Sequence, residues 1–169
     1  ASAKVGKQLR EEHPNYKGNE PFNFFLSCLF PSNQLQIQDY NRLIKDTNGL
    51  NEDELIEKIK SHFDVEKIGE QIYKPTQLHE FSMYVNGNWY KLTAKKNTYD
   101  ENDPIAVLDV TILSNYLLDP ILNIKDQRTD KRIDFVGGIR GLAELQNRVD
   151  SGEMKIAFAF YPVSLDQLI

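Results

Sequence analysis

Two stretches bring together residue types that could hold an anion. Gly137 and Gly138 stand between an apolar run and a helical pattern, and Arg140 follows two residues later. A glycine turn feeding a helix start leaves backbone N–H groups free to meet a phosphate or carboxylate, with Arg140 beside them. The competing reading is a plain turn, which is what two glycines between a strand and a helix most often make. Asn41 and Arg42 form the second candidate, because fixed amide and guanidinium donors at a strand end also suit phosphate or carboxylate. A surface ion pair of Arg42 with Asp39 or Asp46 is the plainer alternative.

No catalytic constellation accompanies them. His13, His62 and His79 show no ligand spacing, and the sequence contains no HExxH, paired CxxC, Walker loop or GxSxG. The acidic loop 99–104 lacks the glycine and terminal glutamate of a calcium loop. No catalytic residue and no metal ligand is therefore assigned. The ligand-binding candidates are Asn41, Arg42, Gly137, Gly138 and Arg140, and the chemistry they suit is that of a small anionic ligand.

The elements that must position these residues follow from periodicity. Ile133, Phe135 and Val136 read as a short strand, residues 141–149 as a helix burying Leu142, Leu145 and Val149, and residues 154–161 as a strand apolar on both faces. Gly137-Gly138 is expected to turn at φ values that other residues avoid. Residues 51–63 form an amphipathic helix, capped by Asn51 and with Glu52, Asp53 and Glu54 at its positive end. Residues 81–92 flank Asn86-Gly87, the pair a type I′ hairpin prefers. Residues 22–30 read as the most hydrophobic strand, with Cys28 a buried small hydrophobe in it, followed by a short strand at 35–37. Residues 40–42 are placed on a loop or strand edge, 65–68 on a strand, and 76–79 on a short helix. Helical patterns also cover 1–13, 105–122 and the start of 165–169. The sum is an α+β fold with a mixed, mostly antiparallel sheet flanked by helices and one strand–helix–strand unit near the C-terminus.

Composition narrows the function classes. The chain's 169 residues suit one domain with a real core, and its abrupt helical start is that of an excised fragment of a longer protein. A net charge of −5 with scattered basic residues argues against nucleic-acid binding, which needs a basic face. No apolar run reaches the roughly 18 residues of a membrane span, and no signal-peptide core opens the chain. A single cysteine suits a reducing cytoplasm. Oligomeric state is left open by the sequence.

The tail from Phe135 to Ile169, FVGGIRGLAELQNRVDSGEMKIAFAFYPVSLDQLI, resembles a conserved bacterial family of unknown function, number 1015 among such families. The segments AVLDVTILSNYLLDPIL and FNFFLSCLFPSNQLQIQDYNRLIKD resemble it too. Members carry an Asp-Gly-His-His-Arg motif before a helix like the first one here and a Met-Pro-Pro-Lys-Ser-Thr motif later, neither of which this sequence contains. The first motif is similar to the nucleotide-binding signature of ParB/sulfiredoxin-like proteins, some of which phosphorylate free serine. The resemblance therefore implies a nucleotide-dependent small-molecule kinase for the intact protein, using ATP or ADP with Mg²⁺, and a scaffold role for this inactive fragment. Two rival expectations stand beside it, a non-catalytic metabolite- or nucleotide-binding module and a protein-interaction domain.

Overall fold

A computed structural model describes residues 2–31, 37 and 39–163. The strand expected at 35–37 and the helix expected at 165–169 fall largely or wholly outside the described residues. Two compact units are present, Ala1–Gln36 and Ile37–Ile169.

In the first unit, helix α1 spans Ser2–Glu12, and a 3-10 turn at Pro21–Asn23 folds back on it. Gly6 permits that approach, since a Cβ there would sit 2.9 Å from the Phe22 carbonyl oxygen. Arg10 Nη1 donates to Asn23 Oδ1 at 3.1 Å, and Glu20 accepts from the Lys17 and Gly18 amides, which fixes the turn. The strand expected at 22–30 does not form: after the turn, residues 24–31 have no regular structure. Phe24, Phe25, Leu26, Leu29 and Phe30 are exposed, Leu26 to 93%, and Cys28 is exposed rather than buried. Apolar content alone does not make a strand; its backbone needs a partner to complete the ladder, and none pairs with it among the described residues.

The second unit is built on a six-stranded sheet. Its strands are β1 (Tyr40–Ile44), β2 (Phe63–Gly69), β3 (Glu80–Val85), β4 (Asn88–Ala94), β5 (Ile133–Gly137) and β6 (Ile156–Phe160). Their order is β2-β4-β3-β6-β1-β5, and every neighbouring pair is antiparallel. Helix α2 spans Glu52–Ile59, α3 Asp109–Leu113, and α4 Leu142–Asp150. The expected α+β fold is what forms, and so does the strand–helix–strand unit. Strands β5 and β6 run in the same direction, joined through α4, but β1 inserts between them and pairs antiparallel with both. That insertion moves residues 40–42 from the expected edge to an interior strand.

Side-chain alternation divides the core. Ile44, Phe81, Met83, Ile156 and Phe158 face α2 and α3, where Leu55, Ile59, Ile112 and Leu113 bury against them. Leu43, Tyr84, Trp89, Ala157 and Ala159 face α4 and meet Leu145 and Val149. Strand β6 is buried along its whole length because helices cover both sheet faces.

Local signals explain the joints. Asn86 and Gly87 adopt φ 48° and 78°, the pair of positive values a type I′ turn requires, so β3 and β4 close as a tight hairpin. Asn51 caps α2 in a reciprocal box: its side chain accepts from the Glu54 amide at 3.0 Å, and Glu54 accepts from the Asn51 amide at 3.0 Å. Asn51→Ala is expected to cost about 1 kcal/mol, read as a lower urea midpoint at unchanged slope. The helix expected at 76–79 is instead a bend and turn, with His79 at φ 63°. Asp109 explains that departure, as the site geometry shows.

Candidate functional site

The strand register places the sequence candidates close together. Tyr40 pairs with Gly137, Asn41 with Val136 and Arg42 with Phe135, so the two candidate stretches lie on adjacent strands. Neighbouring residues of a strand point to opposite faces, however, and Asn41 and Arg42 have different surroundings.

Asn41 is fully buried. Its amide donates to Asp39 Oδ2 at 2.7 Å, and its Oδ1 accepts from the Phe160 amide at 3.2 Å. Both ends are engaged within the protein, which makes Asn41 a clip between β1 and the end of β6.

The glycine turn differs from the expected one. Gly137 has φ −64°, and Gly138 also stays outside the left-handed region; Gly141, at φ 73°, is the residue that needs glycine's freedom. Gly138 is required for space instead. The Asp39 carboxylate lies where a side chain would begin, its Oδ1 2.1 Å from the position of a Cβ, and the Gly138 amide donates to the Asp39 carbonyl oxygen at 2.7 Å. An anion approaching Gly138 therefore meets a carboxylate. Arg140 is exposed and lies 4.0 Å from Glu144. Gly138→Ala is expected to push Asp39 off Asn41 and cost about 1–2 kcal/mol of stability, measured by urea unfolding.

Arg42 lies on the other face, and its environment is unusual. The residue is 8% exposed, with its guanidinium carbon 4.8 Å from the Phe135 ring centre, 5.0 Å from Phe160 and 5.6 Å from Tyr40. Tyr40 stacks on Phe135 at 5.3 Å, which stiffens this aromatic seat. Nε donates to Gln127 Oε1 at 3.0 Å, and Nη1 donates to the Tyr40 carbonyl oxygen. Among the described residues no carboxylate comes within ion-pairing distance of Arg42, so the expected pair with Asp39 or Asp46 is not made; Asp46 pairs with Arg132. Burial lowers the guanidinium pKa to about 10, against a smaller opposing effect of Tyr40, and the group still carries its charge at neutral pH.

A buried cation without a counter-ion is costly, and Arg42 is placed where one could reach it. It lines a cleft of about 390 Å³ together with Thr111, Ser114, Asn115, Gln127 and Phe135. Thr111 is on α3, and Ser114 and Asn115 open the π-helical turn Ser114–Leu118 that continues it. Positions 111, 114 and 115 share a helix face by their spacing of three and four. A π turn also widens the helix, a distortion found frequently at functional sites. None of these three side chains hydrogen-bonds another protein group among the described residues, so their hydroxyl and amide groups are available to the cleft. Sequence reading missed them. The available signal was three polar residues at helical spacing inside the otherwise apolar run 105–122.

A second polar centre lies nearby on α3. Asp109, 4% exposed, accepts from both the backbone amide and Nδ1 of His79, at 3.0 and 2.9 Å, and these two bonds hold His79 in its left-handed conformation. His79 stacks on Tyr99 at 3.9 Å. Burial raises the Asp109 carboxyl pKa, and the histidine opposes this. Glu80, also fully buried, is satisfied by Tyr73, Thr76 and Lys91 and has a structural role. Among the described residues, no group of three His, Cys, Asp or Glu side chains could hold a metal ion, and no helix is long and apolar enough to cross a membrane.

The model of a family described as "Protein of unknown function (DUF1015)" matches residues 1–111. The match takes in β1 with Arg42 and ends at Thr111, so the tail segment beyond it stands outside the matched span. Neither a curated protein nor a solved structure matches the chain.

Proposed function

This chain belongs to the family described as Protein of unknown function (DUF1015), and on that premise we propose that it is a binding module for a small anionic metabolite anchored by Arg42. The observation that carries the reading is the guanidinium itself, nine-tenths buried, charged, and without a carboxylate partner among the described residues. An arginine held in an aromatic seat and braced by Gln127 is pre-organised, so little freedom is lost when an anion docks. The narrower reading implied by the family resemblance, nucleotide-dependent phosphorylation of free serine by the intact protein, would use the same anchor for a carboxylate or phosphate. Phosphoserine formed from serine by the full-length protein with Mg²⁺ and ATP or ADP would support it, and the absence of product would remove it.

The experiment for the binding reading is a calorimetric titration of the chain with inorganic phosphate and with acetate. Saturable one-site binding of either anion that Arg42→Gln weakens at least about tenfold supports it. Binding of neither, or binding indifferent to Arg42, refutes it.

A further inference from the structure

The donor arrangement around Arg42 distinguishes between classes of anion. We propose that the cleft selects a phosphate monoester over a carboxylate; the inference rests on the anionic-ligand reading and narrows it.

A carboxylate is recognised best by an arginine that presents two parallel N–H groups to its two oxygens. The side-on fork uses Nε with Nη2, and here the single Nε hydrogen is committed to Gln127 at 3.0 Å. Nη1 is committed in part to the Tyr40 carbonyl oxygen. Nη2 has no partner among the described residues, so the side-on fork is closed and the donors left to a ligand are the two Nη2 hydrogens and the second hydrogen of Nη1.

The remaining donors are spread around the cleft. Thr111 and Ser114 supply hydroxyls from the helical wall, Asn115 adds an amide one residue on, and Gln127, from a separate segment of the chain, adds its amide nitrogen beside the oxygen that braces Arg42. A planar carboxylate has two oxygens and would leave most of these donors without an acceptor. A phosphoryl group presents three strong acceptor oxygens in a tetrahedral arrangement and can address donors from separate segments of the chain at once. Arg128 stands at the lip of the same cleft, paired with Asp126 at 3.0 Å and exposed. The Asp126 carboxylate offsets that second charge, so the selectivity rests on donor geometry around one buried cation. Val110 and Phe135 provide apolar wall for the organic part of an ester.

Minimal probes separate geometry from charge. Methyl phosphate, methyl sulfate and acetate are to be titrated into the chain by calorimetry at fixed ionic strength. Methyl sulfate carries the single charge of acetate on a tetrahedral three-oxygen group. The expected order has methyl phosphate and methyl sulfate each binding at least about tenfold more tightly than acetate, in keeping with additional charge-assisted hydrogen bonds. The double variant T111V/S114A, at partly exposed positions, is expected to lose about tenfold for both esters and to leave acetate unchanged. A thermal unfolding scan of this variant checks that it remains folded. Methyl sulfate binding no more tightly than acetate, or a double variant that affects all three probes equally, overturns the selectivity while leaving the Arg42 anchor standing. Failure of all three probes to bind removes the anchor as well.

Discussion

Replacing Asp109 with alanine is expected to destabilise the sheet-bearing unit by about 3 kcal/mol, because the His79 backbone amide and ring Nδ1 both lose their shared buried acceptor. Its Oδ1 is the common acceptor for the His79 backbone amide and ring Nδ1. Without it, a left-handed non-glycine residue at the entry to β3 loses both bonds that hold it there. The Oδ2 atom is buried and lacks a protein partner. Asp109→Asn is therefore expected to cost much less than Asp109→Ala, since it keeps an acceptor for His79 and removes a charge that burial opposes. Urea midpoints of the two variants provide the comparison. Equal losses would mean that the charge, rather than the shared acceptor, holds the turn.

Arg42→Gln is the second large effect, and it concerns function. Hydrogen bonds to charged groups are worth about 1.5–3 kcal/mol, so losing the guanidinium is expected to weaken anion binding about 10–100-fold. The variant also loses contacts with three aromatic rings, and some stability goes with them. Arg42→Lys separates the two effects. It keeps a positive charge over the same rings but gives up the planar donor fan and the bond to Gln127. Partial stability with poor binding is the expected result for lysine, measured by thermal unfolding and by titration with phosphate. Equal binding by lysine and arginine would reduce the site to a point charge.

Much of the fold could be read from local chemistry. The Asn86-Gly87 hairpin and the Asn51 capping box each carry their own signal within a short stretch, the β5-α4-β6 unit carries its signal within one continuous segment, and each formed. Residues 22–30 show where that approach fails. They are mostly apolar, as β6 is, yet β6 has strands on both sides, and 24–31 have no strand partner among the described residues. Pairing is a property of the assembled sheet, and composition does not encode it.

The candidate site was legible only in part, for a similar reason. Arg42 could be picked out as a donor, but its seat, with no carboxylate partner among the described residues, depends on the register that sets Phe135 beside it and on Gln127, 85 residues away in the chain. Asn41, its neighbour, turned out to be a structural clip because strand alternation sends it to the other face. The glycine turn looked like an anion cradle in sequence, whereas Gly138 is there to make room for Asp39. Thr111, Ser114 and Asn115 were hidden within an apolar helical pattern, and only the folded chain shows that they line the cleft beside Arg42.

The most direct test of the Arg42 anchor is a titration of the chain with inorganic phosphate followed by NMR of the arginine side-chain Nε–H resonances, with Arg42 assigned through Arg42→Lys. A saturable shift of the Arg42 resonance, larger than that of any other arginine, is the expected result. An Arg42 resonance that stays in place while exposed arginines such as Arg128 and Arg140 move would contradict the account, and would place any anion binding on the surface instead.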